Sequence, residues 1–156
     1  MISDPGNGTE QRIVVGVDGS VPSNAALAWA VEQAKRTGSV VEAVTAWEFP
    51  TTYGFPVPVT DVDWEDLATQ ISDQALAGVA RAGEVKVTRK VREGNAARVL
   101  LDESAGASLL VIGSRGHAGF AEALLGSVGQ HCVHHATCPI VIIRDSVTGE
   151  PSSEAR

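Results

Sequence analysis

Apolar residues along this chain fall in short runs that alternate with stripes at helical spacing. Arg12 to Val17 is an apolar run without polar alternation, the pattern of a strand covered on both faces. Ser20 and Pro22 follow as an N-cap region and an early helical proline. Ala26, Leu27, Ala30, Val31 and Ala34 then recur at helical spacing, and Gly38 ends that helix. Val40 to Trp47 reads as a second strand, and Trp64 to Arg81 as a helix carrying Leu67, Ile71, Leu76 and Val79. Val85 to Val91 is the third strand; its valines alternate with basic residues, which suits a sheet edge. Asn95 can cap a helix holding Val99, Leu100 and Ala105. Leu109 to Ile112 and Ile140 to Ile143 are the fourth and fifth strands, with Pro139 at the tolerated first position of the last.

Such alternation implies right-handed crossovers and a mostly parallel sheet. Ligands of open parallel sheets sit beyond the carboxyl ends of the strands, where the strand order reverses. One segment breaks the rhythm: Glu48 to Asp63 is long and irregular, with Pro50, Pro56, Pro58 and Tyr53-Gly54 inside it. Loops of that length are usually functional or mobile. A single domain is expected over residues 11–145. The tails 1–10 and 146–156, rich in Ser, Gly, Pro and charge, read as disordered.

Composition narrows the possibilities. The 156 residues are 44% apolar but only 4% aromatic, and Val, Ala and Leu dominate, as suits helices packed on a parallel sheet. A net charge of −7 argues against nucleic-acid or anionic-membrane partners. No apolar run has spanning length and the first ten residues do not read as a signal peptide, so a cytoplasmic location is expected. Cys132 and Cys138 are then reduced packing residues.

Candidate chemistry concentrates between Val111 and Val128, V-I-G-S-R-G-H-A-G-F-A-E-A-L-L-G-S-V. Gly113 and Gly116 follow an apolar strand, and Gly126-Ser127 opens a helix. Glycines permit positive φ and let backbone amides approach an anion. A helix N-terminus adds unpaired amides and the positive end of the macrodipole. Two such clusters suit a polyphosphate, and Asp18 at the end of strand one would meet them if strands one and four are neighbours.

Together, V-V-G-V-D-G-S and G-x2-G-x9-G-S (Gly113, Gly116, Gly126, Ser127) resemble the universal stress protein family, in its ATP-binding branch. Gln130 to Pro139, running into Ile140 to Arg144, fits the same pattern. The resemblance implies a Rossmann-like, open five-stranded sheet in the order 3-2-1-4-5 with helices on both faces. It also implies ATP as ligand, commonly with Mg2+, a homodimer through the last strand (Ile140 to Ile143), and a regulatory role in stress or dormancy with weak or no hydrolysis. Carried over by position, Asp18 would hold the ribose or adenine end, with Gly16 and Val17 lining its approach. Ala46 would border the adenine, and Ile112 and Gly113 would back the ribose. Ser114, Arg115 and Gly116 would offer backbone amides, while Gly126, Ser127 and Val128 would bind the phosphates.

Plainer readings stand beside these. Asp18 can simply bond the next turn's backbone, Gly113 and Gly116 can make a tight turn, and Gly126-Ser127 can be a helix cap. Arg115 is a natural phosphate countercharge or a solvent-facing loop residue, and His117 is equally undecided. His131, His134 and His135 share a helix face without the acidic partner or HExxH pattern of a metal site. Glu84, Lys86, Arg89, Lys90, Arg92 and Glu93 read as a solvated strand face. Trp29, Trp47 and Trp64 read as packing residues, and Phe55 as a less favoured cover for a nucleotide.

An ATPase or nucleotidyl transferase is the rival class. Phosphoryl transfer needs a positioned nucleophile and added charge stabilisation. The chain has no G-K-[ST] lysine, no S-G-G-x-D-S and no H-I-G-H signature, and its lysines (Lys35, Lys86, Lys90) are away from the glycines. A slow ATPase, or a dimeric scaffold that binds no nucleotide, are the alternatives to an ATP-binding regulator with an unidentified protein partner.

Overall fold

The computed structural model describes residues 10–56, 61–79, 83–115 and 125–144. Along the chain these form β1 (Arg12–Gly16), α1 (Val21–Thr37), β2 (Val40–Trp47), β3 (Thr51–Thr52) and β4 (Phe55–Pro56). They continue as α2 (Trp64–Ala77), β5 (Val87–Glu93), α3 (Ala96–Ser104), β6 (Leu109–Gly113), α4 (Ser127–His135) and β7 (Ile140–Ile143). Five strands make a parallel sheet in the order β5-β2-β1-β6-β7. Taking those five in chain order gives the expected 3-2-1-4-5 arrangement.

Strand alternation divides the core into two layers, because successive side chains point to opposite faces. Ile13 and Val15 of β1 and Val17 just after it, with Val41, Ala43 and Val111, pack on one face against α1 and on Ala75 of α2. Val14, Val44, Leu110 and Ile112 turn to the other face, where Ala97, Val99 and Leu100 of α3 and Cys132 of α4 cover them. The ends of α1 are those the sequence marks. The Ser20 hydroxyl accepts the Ser23 amide at 3.3 Å, and Gly38 closes the helix in the left-handed region at φ 71°. Among the described residues no helix is long and apolar enough to cross a membrane.

Several boundaries differ from the expectation. Helix α2 ends at Ala77, not Arg81, because the Gly78 amide folds back onto the carbonyls of Gln74 and Ala75; residues 80–82 lie outside the described set. Its buried face is Ala68, Ser72 and Ala75, so the helix lies close to the sheet on small residues while Leu67 stays exposed. Ala105 is the C-cap of α3 and not an interior residue. The third sheet strand starts at Val87 and not at Val85, since it pairs with β2 from Val41↔Val87 to Trp47↔Glu93. Within Glu48 to Asp63, β3 and β4 form an antiparallel hairpin around Tyr53 (φ 52°) and Gly54 (φ 80°), the backbone of a type I′ turn.

The basic face of the third strand is also more than solvated surface. Lys90 reaches Glu42 on β2 (3.3 Å) and Glu103 on α3 (3.0 Å), Arg12 holds Glu42 at 2.7 Å, and Arg92 holds Glu103 at 2.9 Å. Glu42 is nearly buried, and pairing is what makes that tolerable. The sheet therefore ends differently on its two sides. Edge strand β5 carries Arg89, Lys90 and Arg92, whereas edge strand β7 is I-V-I-I.

Candidate functional site

β1 lies between β2 and β6, so the strand order reverses between β1 and β6, whose pairing runs from Ile13↔Leu109 to Val15↔Val111. The segments leaving these two strands share one edge of the sheet. Asp18 and the residues after β6 therefore meet there, as a ligand crevice at a switch point requires.

From β1, Gly16 lies under α3: a Cβ there would stand 3.0 Å from Leu100 Cδ1. Val17 is buried and its amide donates to the Val44 carbonyl at 2.8 Å. The half-buried Asp18 is held on both sides. Its Oδ1 accepts the Ser20 amide at 2.9 Å, and its own amide donates to Ser23 Oγ at 3.2 Å. The turn-bonding role is thus present, and it fixes the carboxylate at the mouth of α1. Ala46 is half-buried near the end of β2, opposite Arg92.

From β6, Ile112 is buried in the α3/α4 layer. Gly113 is required by packing: a Cβ would come within 2.8 Å of the Pro22 carbonyl carbon and Cβ, and 2.9 Å of the Ser23 amide. Its missing side chain seats the first turn of α1 on the end of β6. Positive φ is not what Gly113 and Gly126 supply. Gly113 is absent from the left-handed residues and Gly126 sits at φ −69°.

Ser114 joins the pieces. Its amide donates to the Ile143 carbonyl at 2.8 Å, and its carbonyl accepts the Gly126 amide at 2.7 Å. This corrects one expectation: the Ser114 amide is spent on β7, and the Gly126 amide on Ser114, so neither is offered to an anion. Arg115 follows, half-buried. Gly116 and His117 lie outside the described residues.

Gly126 is the N-cap of α4, whose first helical bond runs from the Gln130 amide to the Gly126 carbonyl at 2.9 Å. Helix geometry leaves the amides of Ser127, Val128 and Gly129 without acceptors inside the helix. With the positive end of the macrodipole, these make the start of α4 electrostatically suited to an anion. Gly129 was not singled out by sequence reasoning, yet a Cβ there would meet Leu125 Cδ1 at 2.5 Å. The signal was the extra glycine in G-S-V-G. His134 and His135 occupy the last turn of α4, and the His131 and His135 rings lie 4.6 Å apart. Cys132 is fully buried, and burial raises its thiol pKa.

Residues 10–144 match the model of the Universal stress protein family. Universal stress protein Rv2623 of Mycobacterium tuberculosis is 36% identical over 140 residues, covering 87% of this chain and 46% of that protein. The chain thus spans about half the length of the curated relatives it matches. Among solved structures, a universal stress protein in complex with cAMP is 25% identical with a TM-score of 0.67, covering 86% of this chain and 97% of that one. UspA from Lactobacillus plantarum, at 21% identity and TM-score 0.69 over 88% of this chain and 100% of its own, shares the fold.

Proposed function

This chain belongs to the universal stress protein family, and we propose that it binds ATP in the crevice between β1 and β6 as a nucleotide-dependent regulator in stress or dormancy. The observation that carries this reading is the 2.7 Å bond from the Gly126 amide to the Ser114 carbonyl. It holds the amide-rich start of α4 against the end of β6, beside Asp18. The cAMP complex of a relative supports the adenine part of the reading.

In this arrangement Asp18 accepts from the ribose or adenine, with Gly16 and Val17 beneath it and Ala46 at the base. Ile112 and Gly113 back the ribose. Ser127 and Val128 donate amides to the phosphates, Gly126 leaves room for them, and Arg115 and Gly116 supply the remaining loop contacts. Mg2+ would be carried in on the phosphate oxygens, which supply most of its ligands in such sites.

Binding without fast turnover fits the placement of Lys35 and Lys90. Lys35 pairs with Glu32 on α1, and Lys90 is committed to Glu42 and Glu103. Neither is a group poised for phosphoryl transfer. A slow ATPase or a nucleotide-free scaffold are the rival readings. A homodimer through β7 belongs to the proposal, because its edge is apolar where the β5 edge is charged. The nucleotide-binding domain is assigned to residues 11–145, its location to the cytoplasm, and its regulatory partner is a protein.

Calorimetric titration of nucleotide-stripped protein with ATP and magnesium tests the reading. Saturable binding near one site per chain, with turnover well below about 1 per second, supports it. Folded protein that takes up no ATP rejects it in favour of the scaffold.

A further inference from the structure

The chain's net charge of −7 is not spread over the molecule. No Lys or Arg occurs between Arg36 and Arg81, and seven acidic residues fall in that interval, so the rest of the chain is balanced. Two of the seven are neutralised: Glu42 by Arg12 and Lys90, and Asp73 by Arg89. The remaining five, Glu48, Asp61, Asp63, Glu65 and Asp66, are all exposed. The same stretch holds Phe49, Tyr53, Phe55, Val62 and Leu67, exposed by 53%, 97%, 74%, 41% and 43%. Only Val21 and Val133 are comparably exposed elsewhere among the described residues.

Topology gathers these residues at one edge. The β3–β4 hairpin leaves the carboxyl end of β2, and α2, which packs back along β2 and β5, begins at that same edge. A hairpin of two residue pairs with every side chain exposed has little to hold it in isolation. Tyr53 at its tip is in the left-handed region, a conformation that costs a bulky residue energy and clusters at functional positions. Helix capping accounts for Asp63 and the first-turn acids, but not for Glu48, Asp61 or the aromatic tip.

We propose that this face docks a basic segment of a partner protein, whose apolar side chains cover Tyr53 and Phe55 while its Lys and Arg residues meet the five exposed carboxylates. Charge complementarity selects the occupant. Nucleic acid and anionic bilayers meet a repulsive field at this edge. The inference stands apart from the nucleotide proposal.

The test is a selection of random displayed peptides on the full chain, repeated on a Tyr53→Ser/Phe55→Ser variant of unchanged melting temperature. Enriched peptides should combine excess Lys and Arg with interspersed apolar residues. A synthetic copy should bind the wild type about tenfold or more tighter than the variant, and lose affinity as salt rises. No enrichment, enrichment without basic excess, or equal binding to the variant would overturn the proposal. So would wild-type self-association lost in the variant, which would make a second copy of this chain the occupant.

Discussion

The Ser114 carbonyl accepts the Gly126 amide at 2.7 Å while the Ser114 amide donates to Ile143 at 2.8 Å. One residue thus ties the start of α4, the end of β6 and the last strand into a single unit. Glycine at 126 sits in ordinary extended backbone, φ −69° and ψ 169°, that any residue adopts. Gly126→Glu should therefore fold, and should abolish ATP binding by placing volume and negative charge at the phosphate end. Calorimetry beside a thermal melt checks this; a folded variant with wild-type affinity would remove Gly126 from the site.

Asp18 has two separable roles. Asp18→Asn keeps an acceptor for the Ser20 amide, whereas Asp18→Ala leaves that amide without one. Only the alanine variant should lose stability, by about 1 kcal/mol, while both should weaken nucleotide binding. Urea melts and titrations of the pair check it. Undiminished affinity in the asparagine variant would confine Asp18 to the turn.

The two glycines that meet helices should differ in tolerance. Gly113→Ala drives a Cβ into the backbone of Pro22 and Ser23, which cannot rotate away, and should cost about 1–3 kcal/mol. Gly16→Ala meets only the end of the Leu100 side chain and should cost less. Denaturant midpoints of the two variants decide the order.

The ion pairs across β1, β2, β5 and α3 set a pH window. Burial raises the Glu103 pKa, but hydrogen bonds from Lys90 and Arg92 outweigh it and hold the carboxyl below its ordinary 4.5. Its contribution is present above that value and is lost as pH falls through the lowered folded-state pKa. Lys90 runs the other way. Its bond to Glu103 outweighs burial, Glu42 adds to it, and the pKa rises above 10.5. That contribution is full below 10.5 and is lost at higher pH. Glu103→Gln should flatten the acid side of the stability profile, and Lys90→Met should cost about 1–2 kcal/mol at neutral pH. Melts across pH check both; an unchanged acid limb in Glu103→Gln would refute the assignment.

For the proposed dimer, light scattering should give twice the 16.2 kDa chain mass. Ile142→Lys should give one chain mass with unchanged circular dichroism. A wild type that stays monomeric at high concentration would discard association through β7.

Much of the fold was legible because apolar period and capping agree. Polar alternation is absent from β1, yet the run Ile13, Val14, Val15 announced a strand buried on both faces, and Ser20 and Gly38 bracketed α1. The site was legible as a set of positions but not as donors. A sequence cannot say that the Ser114 amide is spent on the last strand, or that Gly113 is small for the sake of Pro22. It likewise hid the role of Lys90, whose partners Glu42 and Glu103 come from different elements. Short hairpins such as β3–β4 escape periodicity because two residues per strand carry no period.

The unequal edges of the sheet bear on how far any assembly can grow. A copy that pairs along β7 in antiparallel fashion uses the bare side of both molecules at once. The sides left outermost are then two β5 strands, each bristling with Arg89, Lys90 and Arg92. Their charged, ion-paired side chains make that edge a poor template for a third molecule's strand. Such a sheet can be doubled but not extended into a fibre, so crowding should raise the yield of pairs without seeding filaments.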